Sequence, residues 1–165
     1  MEKLRIIFMG TPEFAVGILD TIIKNNYEVV GIITAADKPA GRGQKLKYSA
    51  VKEYALENNL NLLQPTNLKD ESFLEELKSL NANLQIVVAF RMLPKVVWEM
   101  PSLGTFNLHA SLLPNYRGAA PINWAIINGE TKTGVTTFFI DDKIDTGAMI
   151  LSAETAIDDT ENAGQ

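Results

Sequence analysis

The residue types best suited to chemistry stand together in the segment Asn107–Pro114. Asn107 and His109 are two positions apart in a short run typical of a strand, so their side chains should point to the same face. Both side chains can donate hydrogen bonds, and open α/β sheets bind ligands at the carboxyl ends of their strands. A lone histidine is more often structural, but the asparagine beside it and the proline- and glycine-rich loop that follows favour a ligand site.

A carboxylate that could serve this pair follows later, in the turn Asp141–Gly147. Gly147 permits unusual backbone angles, so Asp145 could fold back onto a neighbouring strand end. Beside His109 it would favour the protonated imidazole and orient the ring. Asp141 and Asp142, in contrast, have the pattern of a solvated turn. A serine nucleophile is a weaker interpretation, because Ser111 lacks a G-x-S-x-G turn and stands too close to His109 in sequence.

A cluster of basic residues interrupts an otherwise acidic chain. Fifteen Lys and Arg against twenty Asp and Glu give a net charge of −5, so any nucleic-acid contact must be local. The segment 38–47 carries four cations: Lys38, Arg42, Lys45 and Lys47. Its Gly-x-Gly centre would let the backbone mould around phosphates, although the spacing is neither that of a P-loop nor that of a dinucleotide fingerprint. The same composition fits a solvated, mobile loop.

Composition excludes several other kinds of site. The 165 residues correspond to about one domain, and 46% hydrophobic with 21% charged residues indicates a globular chain. The absence of cysteine and the presence of one histidine exclude disulfides, Cys-ligated zinc, iron–sulfur clusters and multi-His metal sites. No run approaches the ~20 apolar residues of a membrane span, and no secretory signal is evident. We therefore expect a cytoplasmic protein without a metal.

The first 90 residues should position this chemistry on an α/β fold. Apolar runs predict strands, and segments with helical periodicity alternate with them, which implies a parallel sheet with right-handed crossovers. The predicted strands are Leu4–Met9, Glu28–Thr34, Leu60–Leu63 and Leu84–Phe90. Three helices are predicted. The first begins with Thr11 as its cap and Pro12 in its first position, the second runs from the Ser49 cap to about Asn58, and the third covers Asp70–Leu80. The segment 35–47 is predicted to be a loop.

The second half has a different pattern. A short helix or turn is expected at Pro94–Met100, a strand at Thr105–Leu108, a loop at 111–120 and a helix at 121–128. Strands at Thr133–Ile140 and Ala148–Ser152 follow. Met92, Trp98 and Met100 could line a pocket but are more often core. A helix-start signal at Asp158–Glu161 stands so close to Gln165 that we expect the chain to be a fragment.

Six motifs in this order resemble those of the methionyl-tRNA formyltransferase family: Gly10–Ala15, Pro39–Gly43, Asn107–Pro114, Tyr116–Ile122, Gly134–Thr136 and Asp145–Gly147. The resemblance covers essentially the whole chain. The Asn-x-His and Asp set is shared by all folate-dependent formyltransferases and related hydrolases, so it indicates the reaction class alone. The motifs near the amino terminus and the segment 117–122 indicate the branch that acts on tRNA.

The resemblance implies a Rossmann-like, mostly parallel sheet flanked by helices, the formyltransferase fold, over residues 1–165. The domain would be truncated at its C-terminal end, and the family's C-terminal β-barrel domain would be absent. It further implies 10-formyltetrahydrofolate as co-substrate, initiator methionyl-tRNA as partner, and a monomer. The implied folate-binding residues are Phe90, Arg91, Met92, Leu93, Ser111, Leu112, Leu113, Pro114 and Asp141. The implied tRNA-binding residues are Arg42, Lys45 and Lys47.

The implied mechanism is attack of an amine on the formyl carbon. Asn107 and protonated His109 would donate to the oxyanion, and Asp145 would accept a proton. Rival interpretations are a formyltransferase for a sugar nucleotide or glycinamide ribonucleotide, a hydrolase that passes the formyl group to water, and a folate- or nucleotide-binding module without catalysis. The basic segment disfavours a small acceptor, and the combination of Asn107, His109 and Asp145 disfavours mere binding.

Overall fold

The computed structural model describes residues 3–40, 45–109, 132–140 and 149–156. The chain divides into two units, Met1–Thr105 and Phe106–Gln165. In chain order the elements are β1 (Arg5–Gly10), α1 (Glu13–Lys24), β2 (Glu28–Ile33), β3 (Lys38–Ala40), β4 (Lys45–Lys47), α2 (Ala50–Glu57), β5 (Leu62–Leu63), α3 (Glu71–Ser79), β6 (Leu84–Val88), α4 (Lys95–Trp98), β7 (Thr105–His109), β8 (Lys132–Phe139) and β9 (Met149–Ala156).

The first unit is built on a parallel sheet with the strand order β5-β2-β1-β6. The central strand β1 is apolar after Arg5, and Ile6, Ile7, Phe8 and Met9 are all at most 2% exposed. A strand buried on both faces is typical of a parallel sheet covered by helices. The predicted α/β class with a mostly parallel sheet flanked by helices is confirmed. The third predicted strand is shorter, Leu62–Leu63, and the fourth ends at Val88 instead of Phe90.

Side-chain caps begin two of the predicted helices. The Ser49 hydroxyl accepts a hydrogen bond from the Lys52 N–H at 3.0 Å, and Asp70 accepts one from the Phe73 N–H at 3.1 Å. The Ser49 cap was predicted, whereas Asp70 was predicted only as the first residue of its helix. The prediction of a Thr11 cap is wrong, because Pro12 occupies the cap position in an extended conformation without a side-chain cap. Glu13 then opens α1, where a carboxylate is favoured by the helix dipole.

The predicted loop at 35–47 contains a two-stranded antiparallel hairpin. β3 pairs with β4 so that Lys38 lies opposite Lys47 and Pro39 opposite Leu46. The expectation of an irregular loop is therefore wrong for the described arms. These arms are three residues each, too short for a period-2 pattern to show in the sequence.

The second unit contains antiparallel pairing, as the change of pattern indicated. β7 pairs with β8, with Asn107 opposite Phe138 and His109 opposite Thr136. β8 pairs in turn with β9. These strands agree with the predicted ones to within a few residues. The loop at 111–120, the helix at 121–128 and the helix start at Asp158–Glu161 lie outside the described residues. No helix in the described ranges is long and apolar enough to cross a membrane.

Candidate active site

Asn107 and His109 lie on β7, as predicted, at alternate positions and therefore on one face of the strand. His109 is the last residue of the strand and is 7% exposed, whereas Asn107 is half-buried. The imidazole meets the Phe138 ring edge to face, with 6.5 Å between centroids and an angle of 65°. Edge-to-face arrangements of this kind are energetically preferred between ring systems. The pairing with β8 therefore presents both donors from a regular scaffold.

The chain that enters β7 is fixed by hydrogen bonds within the first unit. The Leu103 N–H donates to the Asn83 carbonyl at 2.8 Å, and the Gln85 N–H donates to the Gly104 carbonyl at 3.2 Å. The buried Thr105 hydroxyl lies 3.0 Å from Gln85 Oε1 and 2.8 Å from the Trp98 carbonyl oxygen. Burial and full satisfaction of these polar groups restrict where β7 begins.

The remaining predicted site residues of the second half are outside the described ranges. They are Asp145, Asp141, Ser111, Leu112, Leu113 and Pro114. The structure therefore brings together Asn107 and His109 and leaves the third catalytic residue as a prediction. Within the described residues, no group of three or more His, Asp or Glu side chains is arranged to hold a metal ion.

The first unit has its own ligand-binding geometry at the carboxyl ends of β1 and β6. The chain leaves β1 toward β2 and later returns on the other side of β1 as β6, so these strands form the switch point where α/β sheets bind ligands. Gly10 ends β1 opposite Val88. An added Cβ there would stand 2.7 Å from the Val88 carbonyl oxygen and 2.7 Å from Ala15 Cβ. Glycine is therefore required for α1 to pack this close.

The segment after β6 begins with an unusual backbone conformation. Ala89 has φ 50°, a left-handed value that costs a non-glycine residue energy and is found at functional sites more often than elsewhere. The chain then runs through the predicted folate-binding residues. Phe90 is half-buried and Leu93 is 8% exposed. Arg91 donates to the Pro65 carbonyl, and its guanidinium lies 5.3 Å from the centroid of the Phe90 ring.

An open groove of about 550 Å³ lies along this segment. Its volume is within the range of about 300–1,000 Å³ for small-molecule sites. The lining residues are Thr66, Asn67, Leu68, Lys69, Arg91, Met92, Leu93 and Pro94. Met92 is 73% exposed, so its interpretation as core is wrong. The groove combines apolar walls with the cations Arg91 and Lys69, a lining suited to an apolar ligand that carries negative charge.

The basic segment presents its described cations along the hairpin. Lys47 is exposed and lies opposite Lys38, and Lys45 is on β4 opposite Ala40. Arg42 lies outside the described residues. Like charges on directly opposite strand positions repel each other. The hairpin therefore gathers positive charge at some cost to its own stability.

A partly buried ion pair at the root of this hairpin was missed by the sequence analysis. The Lys52 ammonium on α2 lies 2.6 Å from an Asp37 carboxylate oxygen, and Gln64 donates to the other oxygen at 2.9 Å. The hydrogen bond from Lys52, with that from Gln64, lowers the pKa of Asp37 below its usual 3.8. The same ammonium lies 3.7 Å from the centroid of the Tyr48 ring. No sequence spacing marks these residues as partners.

Comparison with known proteins gives the family. The model of the family described as Formyl transferase matches residues 3–165. The chain is 92% identical over 165 residues to a protein of Flavobacterium johnsoniae named methionyl-tRNA formyltransferase, with 100% of this chain and 52% of that protein covered. It is 65% identical over 161 residues to the Bacteroides thetaiotaomicron protein of the same name, with 98% and 50% covered. The chain thus spans about half the length of the curated relatives it matches.

Solved structures share the fold at low sequence identity. A phosphoribosylglycinamide formyltransferase from Bacillus halodurans superposes with a TM-score of 0.75 at 19% identity, covering 97% of this chain and 84% of the other. A formyltetrahydrofolate deformylase from Pseudomonas syringae pv. tomato gives 0.72 at 17% identity, covering 99% and 54%. These similarities establish the Rossmann-like fold alone. They do not identify the reaction, because one fold carries several reactions.

Proposed function

Because the chain belongs to the formyl transferase family, we propose that it carries the catalytic site of a methionyl-tRNA formyltransferase. The reaction moves the formyl group of 10-formyltetrahydrofolate to the α-amine of initiator methionyl-tRNA, in the cytoplasm, for translation initiation. The observation that carries the choice of acceptor is the 92% identity, across the whole chain, to a protein with that name. The position of Asn107 and His109 on β7 supports the chemistry.

Formyl transfer requires stabilisation of the formyl oxygen and transfer of protons, which the side chains of Asn107, His109 and Asp145 would supply. Attack of the amine on the formyl carbon places negative charge on the formyl oxygen, and the Asn107 amide with a protonated His109 would donate hydrogen bonds to it. As the carbon–N10 bond breaks, His109 would give its proton to N10 of the departing folate. Asp145 would accept a proton from the attacking amine, directly or through water. Removing one oxyanion donor typically lowers kcat by about 10²–10³.

We assign folate binding to the segment after β6 together with residues of the second half. The groove beside Phe90–Leu93 has a suitable volume, and its apolar walls would accept the flat pterin and its linker. The cations Arg91 and Lys69 that line it would favour the carboxylates of a folate. Ser111, Leu112, Leu113, Pro114 and Asp141 complete the proposed set.

We assign the tRNA contact to the basic hairpin. Arg42, Lys45 and Lys47 would meet phosphates of the acceptor end, because each neutralised phosphate adds affinity by releasing counterions. Exposed Lys47 on a paired strand supports this assignment. A small acceptor would gain little from such an arm. In this proposal the protein is a monomer that needs no metal.

Binding of the donor is tested first. The purified chain is titrated with a stable 10-formyltetrahydrofolate analogue while the fluorescence of Trp98 and Trp124 is followed, with circular dichroism as a check of folding. Saturable binding is expected. The protein is then assayed with methionyl-tRNA and with small amines as competing acceptors. Preference for the small amines would contradict the proposed acceptor.

The catalytic assignment is tested by Asn107→Ala in the same assay. We expect kcat to fall by about 10²–10³ because one oxyanion donor is lost, with KM for both substrates nearly unchanged. Asn61→Ala is the matched control, since that exposed side chain makes only a 3.3 Å hydrogen bond to Val30. Activity of Asn107→Ala within a few-fold of the control would rule out the assigned role.

A further inference from the structure

We propose that Lys52 is a positioning residue that fixes the direction of the basic hairpin and thereby governs the use of the tRNA acceptor. This inference rests on the proposed function. Lys52 does not belong to the hairpin; it lies in the first turns of α2. It contacts both places where the hairpin joins the rest of the first unit, as the distances show.

Two layers of contacts connect the incoming and outgoing ends of the hairpin. In the first layer the Thr34 and Ser49 hydroxyl oxygens are 2.7 Å apart, and Thr34 is fully buried. In the second layer, closer to the hairpin, the Lys52 ammonium lies 2.6 Å from Asp37, directly before β3. It also lies 3.7 Å from the centroid of the Tyr48 ring, directly after β4. One cation therefore holds both strands at their root.

The neighbouring polar groups complete this layer. Gln64 follows β5, and its amide donates to Asp37 at 2.9 Å and to the Ala35 carbonyl at 3.0 Å. The incoming strand is thus tied to α2 and to the segment after β5 at once. Every described buried side-chain polar atom has a hydrogen-bond partner, which makes the root a fully satisfied network. Such networks rigidify the parts that they join.

The burial of Lys52 indicates a role beyond stability. The residue is 9% exposed, and the side chain of its partner Asp37 is 20% exposed. A buried ion pair is often no more stabilising than well-packed apolar residues of similar size, because desolvation offsets the attraction. Its directional hydrogen bonds, by contrast, select one geometry. The hairpin needs such a device, since an isolated two-stranded hairpin is at best marginally stable and Lys38 faces Lys47 across it.

The expected consequence is a selective effect on the acceptor. If the root loosens, the hairpin cations sample many directions, and the tRNA must fix them on binding. Ordering a loose segment lowers affinity without altering the chemistry of the bound complex. KM for methionyl-tRNA should therefore rise while kcat and folate binding stay nearly constant.

The test is Lys52→Met, which keeps the apolar bulk and most of the length of the side chain and removes its charge. We expect KM for methionyl-tRNA to rise about tenfold, which corresponds to a loss of about 1.4 kcal/mol of binding free energy, with kcat within a few-fold. Amide hydrogen exchange in 38–40 and 45–47 should become faster, while exchange in β1 stays slow. Lys52→Arg should restore KM, because a guanidinium can bind Asp37 and stack on Tyr48 at once.

Controls separate this proposal from its premise and from general destabilisation. Lys24→Met removes another ion-paired helical lysine, 2.8 Å from Asp20, and should change neither KM nor hairpin exchange. Tyr48→Leu keeps the ion pair and should raise KM for methionyl-tRNA less than Lys52→Met does. If Lys52→Met fails to fold, Tyr48→Leu serves as the test variant in its place. Unchanged hairpin exchange, or a fall in kcat with unchanged KM, would overturn the proposal. If wild-type protein does not use methionyl-tRNA, the proposed function fails, and the exchange experiment still decides whether Lys52 holds the hairpin.

Discussion

The close approach of α1 to the end of β1 gives a sharp stability prediction for Gly10→Ala. An added Cβ would lie 2.7 Å from Ala15 Cβ, 2.7 Å from the Val88 carbonyl oxygen and 3.0 Å from Phe8 Cε1. Two of these neighbours are rigid, since Val88 O is backbone in β6 and Ala15 is fully buried at the start of α1. The methyl group fits only if the helix or the strand moves.

The size of the effect follows from two opposing terms. Glycine in a strand is disfavoured by about 0.5–1 kcal/mol relative to alanine, which by itself would make the substitution stabilising. Inserting an extra methyl into a packed site costs about 1–3 kcal/mol, and the backbone contact places this site at the upper end. We expect a net loss of about 2 kcal/mol. For a chain of this size each kcal/mol shifts Tm by about 2–4 °C, so Tm should fall by about 4–8 °C.

Gly17→Ala is the matched control on the same helix. No atom lies within 4 Å of an added Cβ at Gly17, so only the backbone term remains, and stability should rise by about 0.5–1 kcal/mol. The stability of Gly31→Ala should lie between those of the other two variants, since the atom 2.8 Å from its added Cβ is the flexible end of the Leu80 side chain. Urea unfolding measures the free energy of unfolding of all three variants, and an unchanged m-value shows that the difference is one of stability. A Gly10→Ala protein as stable as Gly17→Ala would refute the described packing of α1.

Two further predictions concern helix ends and pH. Asn59 follows the cap of α2 with φ 54°, so Asn59→Gly should raise the free energy of unfolding by about 0.5 kcal/mol in urea titrations; Asn58→Gly, where φ is −105°, should lower it, and the reverse order would contradict this reasoning. Burial, with the hydrogen bond to Asp20, raises the pKa of Tyr54 to about 12 from 10.0. The unfolded chain therefore loses this proton at lower pH than the folded chain, and the free energy of unfolding falls as pH rises from about 10 to 12. Tyr54→Phe should abolish that pH dependence. An unchanged slope of the free energy of unfolding against pH would exclude Tyr54 as its source.

The parallel sheet could be predicted because each of its strands is recognisable locally. Ile6–Met9 is apolar at every position, and burial of β1 on both faces is what such a run requires. Ser49 was likewise predictable as a cap, because its hydroxyl oxygen satisfies an N–H group three residues later in the same helix. Asn107 and His109 were predictable as a pair because strand alternation alone places them on one face.

Features that depend on distant partners could not be predicted in this way. The hairpin arms show no strand pattern, and Asp37, which precedes them, contacts Lys52 and Gln64, 15 and 27 residues away in sequence. The left-handed conformation of Ala89 is similarly invisible, because alanine does not favour positive φ and only the surrounding fold imposes it. Pro12, and not Thr11, is the cap of α1. Proline is compatible both with the extended backbone of a cap residue and with the first position of a helix, so the sequence does not decide between the two.

The register of the second unit sets a condition on the proposed catalytic carboxylate. Phe139 lies opposite Phe106 and Thr136 opposite His109, so the chain that follows β8 leaves it at the end of β7 away from the imidazole. Three residues separate the two levels, about 10 Å along a strand. The six residues from Phe139 to Asp145 can span at most about 20 Å. The proposed proton transfer therefore requires Asp145 to lie back at the level of His109, a distance that this length of chain can span.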